Sequence, residues 1–145
     1  MCFPIILENT KELGFRNFKR GVLFGLPFFL LGVYMKPDAE LVLGQLTTAL
    51  IEEIFFRGFL LPYLGNILTS LAFMLAHLIS SFTLKSVLVF FPSLILGYLY
   101  IKTGSIVVPV LIHACMNLFY LRLIEEFPEL YSLLQTELAR SYRFT

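Results

Sequence analysis

The sequence predicts an all-α fold, a polytopic transmembrane helical bundle with about five membrane segments. Three observations predict it. Hydrophobic residues make up 58% of the 145-residue chain and charged residues only 14%, where soluble domains sit near a half and a quarter, and the mean hydropathy is +0.83. The charges are segregated, so that no Asp, Glu, Lys or Arg occurs from Gly58 to Leu84. The apolar runs, such as Leu94-Ile95-Leu96 and Ile106-Val107-Val108, do not alternate with polar residues as the strands of a membrane barrel do. Helices are then the only backbone that satisfies its own polar groups in lipid.

Residues 1–20 form a polar N-terminal segment. The first apolar segment, Gly21 to Met35, is short for a span, which needs about 20 residues, and Pro27 lies inside it. No small-residue cleavage site follows, so it is read as a retained helix and not as a cleavable signal peptide. Lys36, Pro37 and Asp38 make a turn. The second segment, Leu41 to Tyr63, alone carries buried charge: Glu52, Glu53 and Arg57. Gly65 and Asn66 break the chain before the third segment, Ile67 to Leu84. The fourth runs from Ser86 to Ile101, and Lys102, Thr103 and Gly104 turn the chain into the fifth, Ser105 to Leu121, which contains Pro109. The membrane core is thus residues 21–121. Residues 122–145 form a polar tail with Glu125, Glu126, Glu129, Glu137, Arg140 and Arg143, read as a surface helix or a partly disordered end.

Lys11, Arg16, Lys19 and Arg20 precede the first helix and favour a cytoplasmic N-terminus for this multi-pass protein. A net charge of +1 and the lack of a basic, aromatic-interleaved cluster argue against a nucleic-acid partner. Cys2 and Cys115 make neither a disulfide framework nor a CxxC metal pair.

Charges inside a span oppose insertion by roughly 2.5–3.5 kcal/mol each near the helix centre. Glu52, Glu53 and Arg57 must therefore face protein or water. Glu53 and Arg57 are four residues apart and share a helix face, so they pair. Glu52 points about 100° away and is left to face something else, where a partly desolvated carboxylate serves as a general base. The only two histidines, His77 and His113, also lie in apolar segments. Asn117 shares a face with His113, and Phe73 precedes His77 by the same four-residue spacing, walling the pocket. Counted from Tyr63, Asn66 and Gly104, the helix ends on one common side, Glu52, His77 and His113 all lie about 14–17 Å deep at 1.5 Å per residue. One layer of the membrane then holds a base, two imidazoles and an amide. That set suits water activation by Glu52 with His77, and oxyanion stabilisation by His113 and Asn117.

The pattern Glu52-Glu53-x-x-x-Arg57, Phe73-x-x-x-His77 and His113-x-x-x-Asn117 resembles the three motifs of the CPBP family, the CAAX prenyl endopeptidases and bacteriocin-processing (Abi-type) proteins. The stretch Gly97 to Ser105, followed by Pro109 and His113, is similar to the segment linking the last two motifs. The resemblance covers roughly Leu41 to Leu121. It implies a glutamate-dependent intramembrane endopeptidase acting on a membrane-associated protein or peptide. Glu52 and His77 would activate water, His113 and Asn117 would line the oxyanion site, and Glu53 and Arg57 would support the first motif.

Other readings stand beside this one. A metal-free site is favoured, but Glu52, His77 and His113 also match a His₂Glu zinc set with one open position, although no His-Glu-x-x-His helix is present. The alternative function is a non-proteolytic membrane interaction or immunity protein. A proton-coupled transporter also uses Glu and His at mid-membrane, but five short segments with no evident repeat argue against it.

Overall fold

The computed structural model of the chain describes residues 14 and 17–134. Cys2, Lys11 and Arg16, and the charged end with Glu137, Arg140 and Arg143, lie outside the described residues. The regular elements are all helical: α1 (Phe18–Tyr34), α2 (Ala39–Glu53), a π-helical stretch (Ile54–Leu60), α3 (Leu61–Ser80), α4 (Leu84–Leu88), α5 (Phe90–Thr103), α6 (Val107–Glu126) and α7 (Pro128–Leu134).

Among the described residues, three helices are long and apolar enough to cross a membrane: Ala39–Ser80, Leu84–Thr103 and Val107–Glu126. The first has 42 residues. Straight, it would reach about 63 Å, twice the hydrocarbon thickness. It is not straight. Gly65 has φ 74° and ψ 170°, a conformation open to a residue without Cβ. The Arg57 guanidinium lies 4.9 Å from the centre of the Phe73 ring, whereas 16 residues of straight helix would hold them about 24 Å apart. The chain therefore folds back at Gly65, where the sequence predicts a break. The shorter α1 has 17 residues. The five expected segments become three helices of spanning length and apolarity, one of them a hairpin, together with α1.

Several boundaries differ from expectation: α1 starts at Phe18 and not Gly21, and α6 runs on to Glu126 where the fifth segment was expected to end at Leu121. The third segment ends at Ser80, not Leu84, because the Ser86 hydroxyl donates to the Ser81 carbonyl at 2.6 Å and the Ser86 N–H to the Thr83 hydroxyl at 3.4 Å. This turn places Leu84 and Lys85 in α4, ahead of the expected start at Ser86. In the second segment, α-helical bonding gives way to a π-helical stretch that closes with the Leu61 N–H bonded to the Phe56 carbonyl. Pro62 follows at once. A proline has no N–H, and its ring clashes with the carbonyl four residues back, here Gly58. A wider turn just before it relieves both conflicts. Pro109 sits in the first turn of α6, where a missing N–H leaves nothing unsatisfied.

Packing centres on α6. Helix α1 lies against it through glycines: a Cβ on Gly25 would stand 2.9 Å from the Leu111 side chain, and one on Gly32 would stand 3.2 Å from Cys115 Cα. Small residues allow this close approach between membrane helices. Helix α2 also packs on α6, while α3 packs on α5 and the π-helical stretch. Ala49, Leu61, Tyr100, Ile106, Val110 and Ala114 form the apolar core. Leu23, Leu31, Ile51, Ile67, Ile79 and Phe91 face outward, whereas Glu53, Arg57, Ser70, Ser93 and His113 are buried. Apolar outside and polar inside is the arrangement a bilayer demands of ionisable residues.

Candidate active site

Glu52 and Glu53 are the last two residues of α2, and one residue of helical rotation sends them to different surroundings. Glu53 is fully buried. Its Oε1 accepts a bond from Arg57 Nη1 at 3.0 Å and another from His113 Nδ1 at 2.8 Å. Through Nη2, Arg57 also donates to the Ser93 carbonyl at 3.1 Å and to the Ser93 hydroxyl at 2.9 Å, and the face of Phe73 covers its guanidinium. Two ions removed from water lose several kcal/mol of hydration each unless their bonds are replaced. Here α2, the π-helical stretch, α5 and α6 all supply replacements. The Glu53–Arg57 pair is the one the four-residue spacing predicts. The bonds to His113 and Ser93 come from other helices.

Hydrogen bonding fixes the proton position on both imidazoles. His77 Nδ1 is 3.0 Å from the Phe73 carbonyl. A carbonyl only accepts, so Nδ1 carries the hydrogen and a neutral ring keeps its lone pair on Nε2. His113 Nδ1 likewise faces the Glu53 carboxylate, which leaves its Nε2 toward Glu52. Glu52 Oε2 is 3.7 Å from that nitrogen, beyond direct hydrogen-bond reach and within reach of a shared water. The Glu52 side chain is 28% exposed, against 0% for Glu53. Phe73 touches both histidines, with ring centres 4.4 Å from His77 and 5.9 Å from His113.

A cavity of about 250 Å³ opens beside these rings. His77, His113, Asn117 and Phe73 line it, as do Lys85 and Tyr120. Glu52 is not part of this wall. It meets His113 from α2, and no hydrogen bond or ion pair joins it to His77. The structure thus gathers His77, His113, Asn117 and Phe73 around one space and sets Glu52 at the far nitrogen of His113. Among the described residues no three His, Cys, Asp or Glu side chains are grouped to hold a metal ion.

Sequence reasoning missed two residues of this region. Ser93 is a hydroxyl in the middle of an apolar segment, and such residues bond across membrane helices; that is its available signal. Lys85 is the single Asp, Glu, Lys or Arg between Gly58 and Ile101, and it falls between the expected third and fourth segments.

Comparison with known families matches residues 37–119 to "Type II CAAX prenyl endopeptidase Rce1-like". No curated protein and no solved structure is similar enough to the chain to count as a match. The matched region covers more than half of the chain and contains Glu52, Glu53, Arg57, Phe73, His77, His113 and Asn117. The chain belongs to the type II CAAX prenyl endopeptidase Rce1-like family, and is an integral membrane protein of the CPBP intramembrane-protease kind.

Proposed function

We propose that this protein is an intramembrane endopeptidase that hydrolyses a peptide bond of a membrane-associated protein or peptide. Glu52 is the general base. It takes one proton from water as the oxygen attacks the scissile carbonyl, and delivers that proton to the departing amine. The His77 Nε2 lone pair accepts the second hydrogen of the water and aims it. The carbonyl oxygen becomes an oxyanion, and Asn117 donates an amide N–H to it from one turn beyond His113. His113 adds a second donor from Nε2. With its Nδ1–H already given to Glu53, the ring must carry both protons to do so. Glu53 and Arg57 hold the imidazole in this orientation and do not touch substrate.

The observation that carries this reading is the pair of distances around His113: a 2.8 Å bond to a fully buried Glu53 on one side, and a 3.7 Å gap to a partly exposed Glu52 on the other. One carboxylate is spent on structure and its neighbour is kept open for chemistry. No metal takes part in the proposed step. Lys11 and Arg16 before α1, and Lys19 and Arg20 in its first turn, favour a cytoplasmic N-terminus, and both arms of the Gly65 hairpin are proposed to cross the bilayer.

The test is cleavage of a membrane-peptide library by purified wild type and by Glu52→Ala, with and without a zinc chelator. Cleavage by wild type alone, indifferent to chelator, is the expected result. Cleavage lost to chelator and restored by zinc would reassign Glu52, His77 and His113 as ligands. A folded wild type that cuts nothing across the library would favour the interaction or immunity reading.

A further inference from the structure

The end of the bundle at the α5–α6 turn carries charge of one sign. Lys19 and Arg20 in the first turn of α1 and Lys102 in the last turn of α5 are all exposed. Local contacts bring these two helix ends together. Asn17 Nδ2 donates to the Thr103 carbonyl at 3.1 Å and to the Gly104 carbonyl at 3.4 Å, and the Ile106 N–H donates to the Gly14 carbonyl at 3.0 Å. These are groups that the end of α5 and the start of α6 leave unpaired. A Cβ on Gly21 would stand 2.7 Å from Val107 Cβ, so the start of α1 lies directly against the turn. Among the described residues no carboxylate pairs with Lys19, Arg20 or Lys102, and no acidic residue lies at this end. Beyond the opposite ends of these helices the charges are mixed, and Asp38, Glu40, Glu125, Glu126 and Glu129 outnumber Lys36, Lys85 and Arg122.

We infer that Lys19, Arg20 and Lys102 bind the phosphate of an anionic phospholipid at the membrane boundary. The surface beneath them fits the rest of such a molecule. The Arg20 guanidinium carbon lies 5.9 Å from the centre of the Phe24 ring, and Lys102 Nζ lies 5.5 Å from that of Tyr98. Each ring stands one turn deeper along the same helix than its cation. Both rings are exposed, as are Leu23 and Ile101 beside them. A cation over an aromatic face keeps its charge, and its long stem carries that charge past apolar surface to the headgroup level. A ligand for this end therefore needs an anion at the boundary and hydrocarbon immediately below it. An anionic phospholipid has both, whereas a free phosphate has only the first. Each Lys or Arg beside an anionic lipid surface strengthens binding about fivefold. His113 lies nine residues beyond Gly104, about 14 Å deeper, so this site is apart from the cavity and does not depend on the peptidase reading.

The experiment titrates the full chain in neutral detergent with phosphatidylglycerol or phosphatidylcholine and counts bound lipid by native mass spectrometry. The first phosphatidylglycerol is expected to bind about 100-fold more tightly than the first phosphatidylcholine, the product of three fivefold gains. Lys102→Gln is expected to weaken phosphatidylglycerol about fivefold, and Lys19→Gln combined with Lys102→Gln about 25-fold, with phosphatidylcholine unchanged. Lys19→Arg combined with Lys102→Arg is expected to keep the preference, which separates lost charge from a damaged fold. Lys36→Gln combined with Arg122→Gln removes the same charge from the other end and is expected to leave the preference alone. Equal binding of the two lipids by wild type overturns the inference. So does an equal fall in the two Gln double variants, which would make the overall charge the cause. Displacement of the lipid by glycerol 3-phosphate at equal concentration overturns it too, since a phosphate without acyl chains would then suffice.

Discussion

The knot around Glu53 and the cavity beside it share His113 yet treat polarity in opposite ways. In the knot, Arg57 and the Nδ1 side of His113 both bond Glu53 Oε1 and Arg57 bonds Ser93, while Glu53 Oε2 is buried without a hydrogen-bond partner. In the cavity, His77, Asn117 and Lys85 line open volume, and outside its wall Glu52 stops 3.7 Å short of His113. Dense bonding between helices gives rigidity, while bonding capacity that faces a cavity gives chemistry. Because His113 belongs to both regions, the rigid one aims the reactive one. The comparison predicts that substitutions in the knot lower stability first, and that substitutions around the cavity lower activity with the fold intact.

The largest effect on the fold is expected from Arg57→Met. It strips Glu53 of its cation and leaves a buried carboxylate with only His113. Removing one partner of a buried pair costs about 3–5 kcal/mol, which thermal unfolding of the purified protein in detergent will read as a large fall in midpoint. An unchanged midpoint would mean that the pair is solvated. On the cavity side, His77→Gln is expected to lower the cleavage rate by roughly 10²–10⁴-fold, the usual range for a lost acid–base group. Asn117→Ala should lower kcat about 100-fold through one lost oxyanion donor. Neither should move the unfolding midpoint by more than a small amount. A large fall in stability for both would erase the proposed division. The smallest effect belongs to Ser93→Ala. Arg57 keeps the Ser93 carbonyl and loses only the hydroxyl, so about 1–2 kcal/mol of stability should go with activity nearly intact.

What was legible in the sequence follows the same divide. The Glu53–Arg57 pair could be read because four-residue spacing along one helix fixes a shared face. The expected common level of Glu52, His77 and His113 rests on counting from the helix ends at a constant rise, and the π-helical stretch Ile54–Leu60 between Glu52 and Tyr63 departs from that rise. The bond from His113 to Glu53 could not be read. It joins residues 60 apart on different helices, and only the rotation of α6 against α2 decides which of two adjacent carboxylates meets Nδ1. The π-helical stretch was missed although Pro62 signals trouble for the preceding turn, because a kink and a widening relieve the same clash. Lys85 was missed because the segment boundary was drawn at Leu84, whereas the Ser81–Ser86 turn returns it to a helix. The hairpin at Gly65 was legible as a break, but its consequence, Arg57 beneath Phe73, needed the packing.

The most direct test puts the two neighbouring glutamates side by side. Glu52→Gln and Glu53→Gln are purified in the same detergent and assayed for unfolding midpoint and for peptide cleavage. The account predicts that Glu52→Gln unfolds like wild type and cuts roughly 10²–10⁴-fold more slowly, as loss of a general base would produce, while Glu53→Gln loses stability. A Glu52→Gln protein that still cuts at the wild-type rate would contradict the account, since the open carboxylate would then have no part in the chemistry.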